Sequence, residues 1–187
     1  TQQRSEMSAR INRNREQRID QQFLVAVALA KDGRLGEIKS VRACIGAAPT
    51  SGEIPKAEVP ANLNWDMWLG QAPMTDYLQG SFGNNQRYPE SRTHYEFRWW
   101  YEYSGGKMTD WGAHHVDIAV WAILQTRDKL GKIRIEPVAA DHPVPLSEGM
   151  PTADDRFNTA VSFNVKATFD DGLELRIRDT ADDLGFD

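Results

Sequence analysis

Three ionisable side chains in MTDWGAHHVDIAVWAILQ (residues 108–125) could do chemistry. Asp110, His114 and Asp117 fall at i, i+4 and i+7, a spacing that puts them on one face of a helix. The rest of the stretch is apolar, so the helix is expected to be largely buried, and a buried charge without a partner is costly. The stripe therefore faces solvent, pairs internally or lines a cleft. A histidine titrates near neutral pH, and carboxylates one turn away on either side can hold its tautomer and stabilise its imidazolium, which suits general acid–base catalysis. His114 with Asp110 or Asp117 is also reasonable chemistry for a divalent metal, although no third ligand is specified. Spacing alone leaves all three alternatives open.

The segment just upstream adds to the site. FRWWYEYSGGK supplies Arg98, Trp99, Tyr101 and Lys107 around two glycines. Rings stack on the C–H faces of sugars and polyols, while cations and hydroxyls bond their oxygens. Adjacent glycines let backbone approach a ligand closely. His94 is a further candidate at the same rim. His115 and His142 carry no such pattern and are expected to be structural. Trp65, Asp66 and Trp68 in LNWDMWLG read as a short helix anchored by its indoles, or as part of a substrate rim.

These residues need elements to hold them. EQRIDQQFLVAVALAK (17–32) is expected to be helical, with Ile19, Phe23, Val27 and Ala30 on one face and Asp32-Gly33 as the stop. GEIKSVRACIGA (36–47) and KIRIEPVAA (132–140) read as strands, and LNWDMWLG (63–70) as a short helix capped by Asn62 or Asn64. Residues 48–62 and 79–92 read as loops, and THYEFRWWYEY (93–103) as strand or extended chain. AVSFNVKATF and LELRIRDT flank Asp170-Asp171-Gly172, a strong hairpin signal. Strands are not separated by regular crossover helices. The expectation is an α+β fold with a large open, mainly antiparallel sheet and helices on one face.

Composition narrows the classes. The chain has 187 residues with a formal net charge of -5, 40% hydrophobic and 26% charged residues, a globular profile that argues against wholesale disorder and a broad nucleic-acid footprint. The longest apolar run, Phe23 to Ala30, falls far short of the ~20 residues of a membrane helix. A single cysteine, Cys44, excludes an internal disulfide and a cysteine-based zinc cluster; it reads as a buried small hydrophobe. Residues 1–20 are basic and 141–187 acidic. The chain starts on Thr and stops just after a strand-like stretch, and it reads as a piece of a longer protein. Cytoplasmic residence is the default, any export signal lying upstream. No glycine-rich phosphate loop follows a first strand.

GRLGEIKSV (33–41), LNWDMWLGQAP (63–73) and HYEFRWWYEYSGGKMTDWGAHHVDIAVWA (94–122) together resemble the Gfo/Idh/MocA oxidoreductases, the glucose–fructose oxidoreductase and inositol dehydrogenase group. The opening TQQRS resembles the exit from that family's nucleotide-binding domain. The resemblance implies that residues 1–187 are the C-terminal substrate-binding and oligomerisation domain of a two-domain protein. An N-terminal Rossmann domain would hold NAD or NADP and carry the Glu-Lys-Pro motif with its catalytic lysine. It implies hydride transfer with a sugar, polyol or cyclic alcohol, and a homo-oligomer formed through the open sheet. His114 matches the catalytic histidine and Asp110 the substrate-site aspartate. Asp117 matches an acidic position behind them, Lys107 a variable sugar-contact position, and Arg4 a position near cofactor or substrate. Non-redox sugar binding, glycoside cleavage that recycles its NAD, and metal-dependent hydrolysis are the alternatives.

Overall fold

The structure is a computed structural model that describes residues 18, 20–83 and 88–181. The chain divides into two compact units. The first comprises residues 1–45, 111–139 and 164–187, and the second 46–110 and 140–163.

The first unit is built on a sheet with the order β1-β8-β7-β4: β1 (Ser40–Cys44), β8 (Glu174–Arg178), β7 (Ser162–Phe169) and β4 (Ile133–Asp141). β7 and β8 form the expected antiparallel hairpin, with Val165 opposite Ile177. Gly172 takes φ +87 in its turn, and the Leu173 amide donates to Asp171 Oδ1 at 3.2 Å. β1 joins β8 in parallel, Val41 beside Leu175 and Ala43 beside Ile177. Alternation sends Ala43, Ala167, Phe169, Leu175 and Ile177 into the core. The fold is thus α+β on a mixed, mainly antiparallel sheet.

Helix α1 (Gln21–Lys31) and helix α3 (Trp111–Leu124) pack on each other, and α3 also packs on β1 and β8. Val27 and Ala30 are the buried positions of α1, and Asp32 caps its C-terminus. Ile19, expected on the same face, lies outside the described residues. Cys44 is half-buried and donates its thiol to Thr180 O at 3.0 Å. Among the described residues no helix is long and apolar enough to cross a membrane.

The second unit packs Ile54, Leu78, Trp99, Trp100 and Phe157 into one cluster. Asn64 caps α2 (Trp65–Leu69) by accepting from the Met67 amide at 3.0 Å. Trp65 and Trp68 stack with centroids 5.1 Å apart, and Trp68 meets Tyr103 edge-on at 5.0 Å. These indoles are anchors of the short helix.

Two expectations here need correction. The loop at 79–92 contains a strand pair, β2 (Gln79–Phe82) and β3 (Pro89–Ser91), joined antiparallel. His94–Trp99, expected to be strand or extended, is a 3-10 helix. An alternating strand would send Trp99 and Trp100 to opposite faces, yet both are buried. The tighter 3-10 turn aligns i with i+3 and lets Trp99 Nε1 donate to Glu96 Oε2 at 2.6 Å. A further two-stranded pair, β5 (Leu146–Ser147) with β6 (Met150–Pro151), turns through Glu148 and Gly149, both at positive φ.

Candidate functional site

α3 begins at Trp111, so Asp110 stands in the turn before it, and the helical stripe reduces to His114 and Asp117. His114 is half-buried on the first turn of α3, and the Trp111 ring meets it edge-on with centroids 6.4 Å apart. Among the described residues no carboxylate bonds the His114 imidazole. His115 Nδ1 lies 3.0 Å from Trp111 O, a local helix contact.

Asp117 is engaged elsewhere. Arg18 donates Nε to Asp117 Oδ2 at 2.6 Å and Nη2 to Oδ1 at 2.5 Å. The same guanidinium lies 5.1 Å from the Trp121 ring centroid. The pair is ninety-nine residues apart in sequence, which is why the local spacing around His114 did not reveal it.

In the second unit two candidates meet. Arg98 Nη1 donates to Asp110 Oδ2 at 3.0 Å, and the guanidinium sits 3.9 Å over the Tyr95 ring. Both partners keep about a fifth to a quarter of their side chains exposed, 19% and 25%. Lys107 follows Gly105-Gly106 in a short 3-10 turn, Gly106–Met108. Its side chain lies across Gly46, where a Cβ would stand 3.6 Å from Lys107 Cε. Gly106 needs its glycine: φ is +67, and a Cβ would meet Thr159 Oγ1 at 2.6 Å.

Tyr101 is half-buried, and its hydroxyl lies 3.0 Å from His142 Nε2 while accepting from the Ala160 amide at 3.2 Å. His142 thus has a polar partner that its Pro-rich sequence context did not suggest. Trp99 is 4% exposed and belongs to the core. His94 is exposed at φ +50, with Nδ1 2.9 Å from Thr93 Oγ1. Arg4 lies outside the described residues.

Sequence reasoning also missed a buried polar network. Arg92, 2% exposed, lies 4.3 Å from the Trp100 ring centroid and faces Glu102 Oε1 at 3.6 Å. It also donates to Asp154 O. Asn158, 0% exposed, donates Nδ2 to Glu102 Oε2 at 3.1 Å and accepts from the Tyr101 amide at 2.8 Å. Burial pushes the Tyr103 phenol up, against the pull of Arg92 beside it. No periodicity marks such residues; only their lack of a solvent-facing role could have signalled them.

Among the described residues no group of three His, Cys, Asp or Glu side chains is placed to hold a metal. A dinucleotide does not fit these residues either. β1 runs on into irregular chain before the five-residue α2, with no strand–glycine turn–helix cradle. The start of α1 is capped by the Asp20 carboxylate, which repels phosphate.

The fold is α+β; the first unit carries the half-buried His114 imidazole, and the second carries Asp110 held by Arg98 and a glycine turn followed by Lys107. Residues 49–148 match the model for the oxidoreductase family, C-terminal alpha/beta domain, and the chain belongs to that family, the Gfo/Idh/MocA oxidoreductases. The matched span contains every candidate from His94 to Asp117. No curated protein and no solved structure matches the chain.

Proposed function

We propose that this chain is the substrate-binding domain of an NAD(P)-dependent oxidoreductase acting on a sugar, polyol or related cyclic alcohol. The observation that carries the reading is His114: a partly exposed imidazole on the first turn of α3, inside the family match. His114 takes the proton of the alcohol being oxidised. Asp110, steadied by Arg98, bonds the reacting hydroxyl. Lys107 and Tyr101 contact substrate oxygens, with Arg98 and His94 at the rim; Trp99, buried in the core, and Asp117, held by Arg18, support the site only through the fold. The residues described here contribute the proton half of the reaction. NAD or NADP binding is proposed for an N-terminal domain, with Arg4 as the candidate cofactor contact from this chain.

The same reading makes the protein a homo-oligomer through the open sheet, where Ile135 and Val138 of β4 stand 68% and 55% exposed. Incubation of the intact protein with NAD or NADP and a panel of polyols, followed by the absorbance of reduced nicotinamide, tests the activity. Turnover that disappears in His114→Ala, with cofactor affinity retained, supports the reading. Absence of reduced nicotinamide with the whole panel, or full turnover in that variant, overturns it.

A further inference from the structure

We propose that Asn158 and Thr159 are positioning residues that set the place of Asp110 by clamping the chain that enters the Gly105-Gly106 turn and bracing Gly106 itself. The role rests on the reading of Asp110 given above.

The Asp110 backbone is suspended from Gly106. The Gly106 carbonyl accepts from the Thr109 amide at 3.2 Å and the Asp110 amide at 3.1 Å, and from Thr109 Oγ1 at 3.3 Å. Wherever Gly106 goes, the Asp110 amide follows. Gly106 in turn rests on Thr159, whose Oγ1 and Cβ lie 2.6 and 2.7 Å from where a Gly106 Cβ would stand.

Asn158 fixes the chain entering the turn. Its amide and that of Thr159 both donate to Trp99 O, at 3.0 and 3.2 Å. Its side chain receives the Tyr101 amide and donates to Glu102. Asn158 and Thr159 are 0% and 1% exposed, so no water competes for these bonds.

Among the described residues Thr159 Oγ1 is buried without a hydrogen-bond partner, so it is the shape of this side chain that meets Gly106. The geometry is what holding a turn in one place requires: a floor under Gly106, two amides on one carbonyl and an amide clamp. Arg98 then sets the carboxylate end of Asp110.

The test uses the intact protein and four substitutions. Asn158→Ala and the milder Thr159→Ala are each expected to lower kcat about 10- to 100-fold, the scale of a displaced catalytic group, with cofactor affinity unchanged. Thr159→Val, which keeps the shape, recovers most of what Thr159→Ala loses. In an Asp110→Asn background the two alanine variants should cost less than about threefold more, since groups acting through one another are not additive. Amide exchange at Thr109 and Asp110, read without substrate, should quicken in Asn158→Ala. Equal losses in both backgrounds, or unchanged exchange, overturn the positioning role alone. Wild-type turnover in Asp110→Asn overturns the site reading, and this role with it.

Discussion

Arg98 holds Asp110 through a 3.0 Å hydrogen bond while its guanidinium lies 3.9 Å over the Tyr95 ring. One cation is thus held by a carboxylate and by an aromatic ring. A charge-assisted bond is worth ~1.5–3 kcal/mol where solvent is partly excluded, and a cation over a ring ~0.5–1 kcal/mol at exposed sites. Arg98→Met is expected to cost about 2 kcal/mol in urea unfolding. Arg98→Lys restores the charge without the planar fork or the stacking, and it should recover less than half of that loss. Equal stability of all three proteins would show that the contact contributes nothing.

Asp117 gives a different outcome from Asp110. Arg18 takes both of its oxygens, so its carboxylate is committed within its own unit and is not bonded to His114. The side chains are 21% and 34% exposed, so solvent weakens the pair. A double-mutant cycle with Arg18→Met and Asp117→Asn should give a coupling of about 0.5–1 kcal/mol. Turnover of Asp117→Asn should remain within about threefold of the parent, as expected for a residue that acts on stability. A loss as deep as that of His114→Ala would place Asp117 in the reaction.

Gly106 and Gly33 make a matched pair. Both take φ near +70, at +67 and +69, but a Cβ at Gly33 meets nothing within 4 Å while one at Gly106 runs into Thr159. Gly33→Ala should therefore cost about 1 kcal/mol from backbone strain alone. Gly106→Ala should cost at least about 2 kcal/mol, because a crowded buried site adds its own penalty. Thermal unfolding of the two variants side by side isolates the steric part, and equal losses would remove it.

Local patterns were legible where local physics decides the outcome. The Asp170-Asp171-Gly172 hairpin, the Asp32-Gly33 stop and the Asn64 cap each follow from neighbours within a few residues, whereas α3, expected to be largely buried, buries Gly112, Ala119 and Ile123 and leaves the rest half-buried or exposed. The 3-10 helix at His94–Trp99 was not legible, because burial of two consecutive tryptophans decides it, and that burial depends on Phe157 and Ile54 far along the chain. β2 and β3 were hidden by turn-rich composition, and Pro89 stands at the start of β3, a position where its missing N–H costs little. At the site, the residue types of His114 and Asp110 were legible, although the one-face spacing did not carry over, since α3 begins only at Trp111. Their partners were not: Arg98 meets Asp110 only because its chain folds back, and the fixing of Gly106 comes from Thr159.

Glu90 supplies a pH test. Burial, and secondarily the Glu96 carboxylate, push its carboxyl above the usual range. A carboxyl whose folded-state value is raised binds its proton more readily in the folded protein than in the unfolded chain. Its contribution therefore favours folding at low pH and is lost as pH rises through the raised value. Glu90→Gln, which cannot ionise, should be slightly more stable than the parent at pH 7. The carboxyl is largely open to screening by solvent, so the gain should stay below about 1 kcal/mol. Denaturant titrations from about pH 4 to pH 7 should show the two proteins converging at the acid end and the parent falling behind toward neutrality. A parent that gains on the variant as pH rises would mean that Glu90 is stabilised as the carboxylate, with a cation at its side.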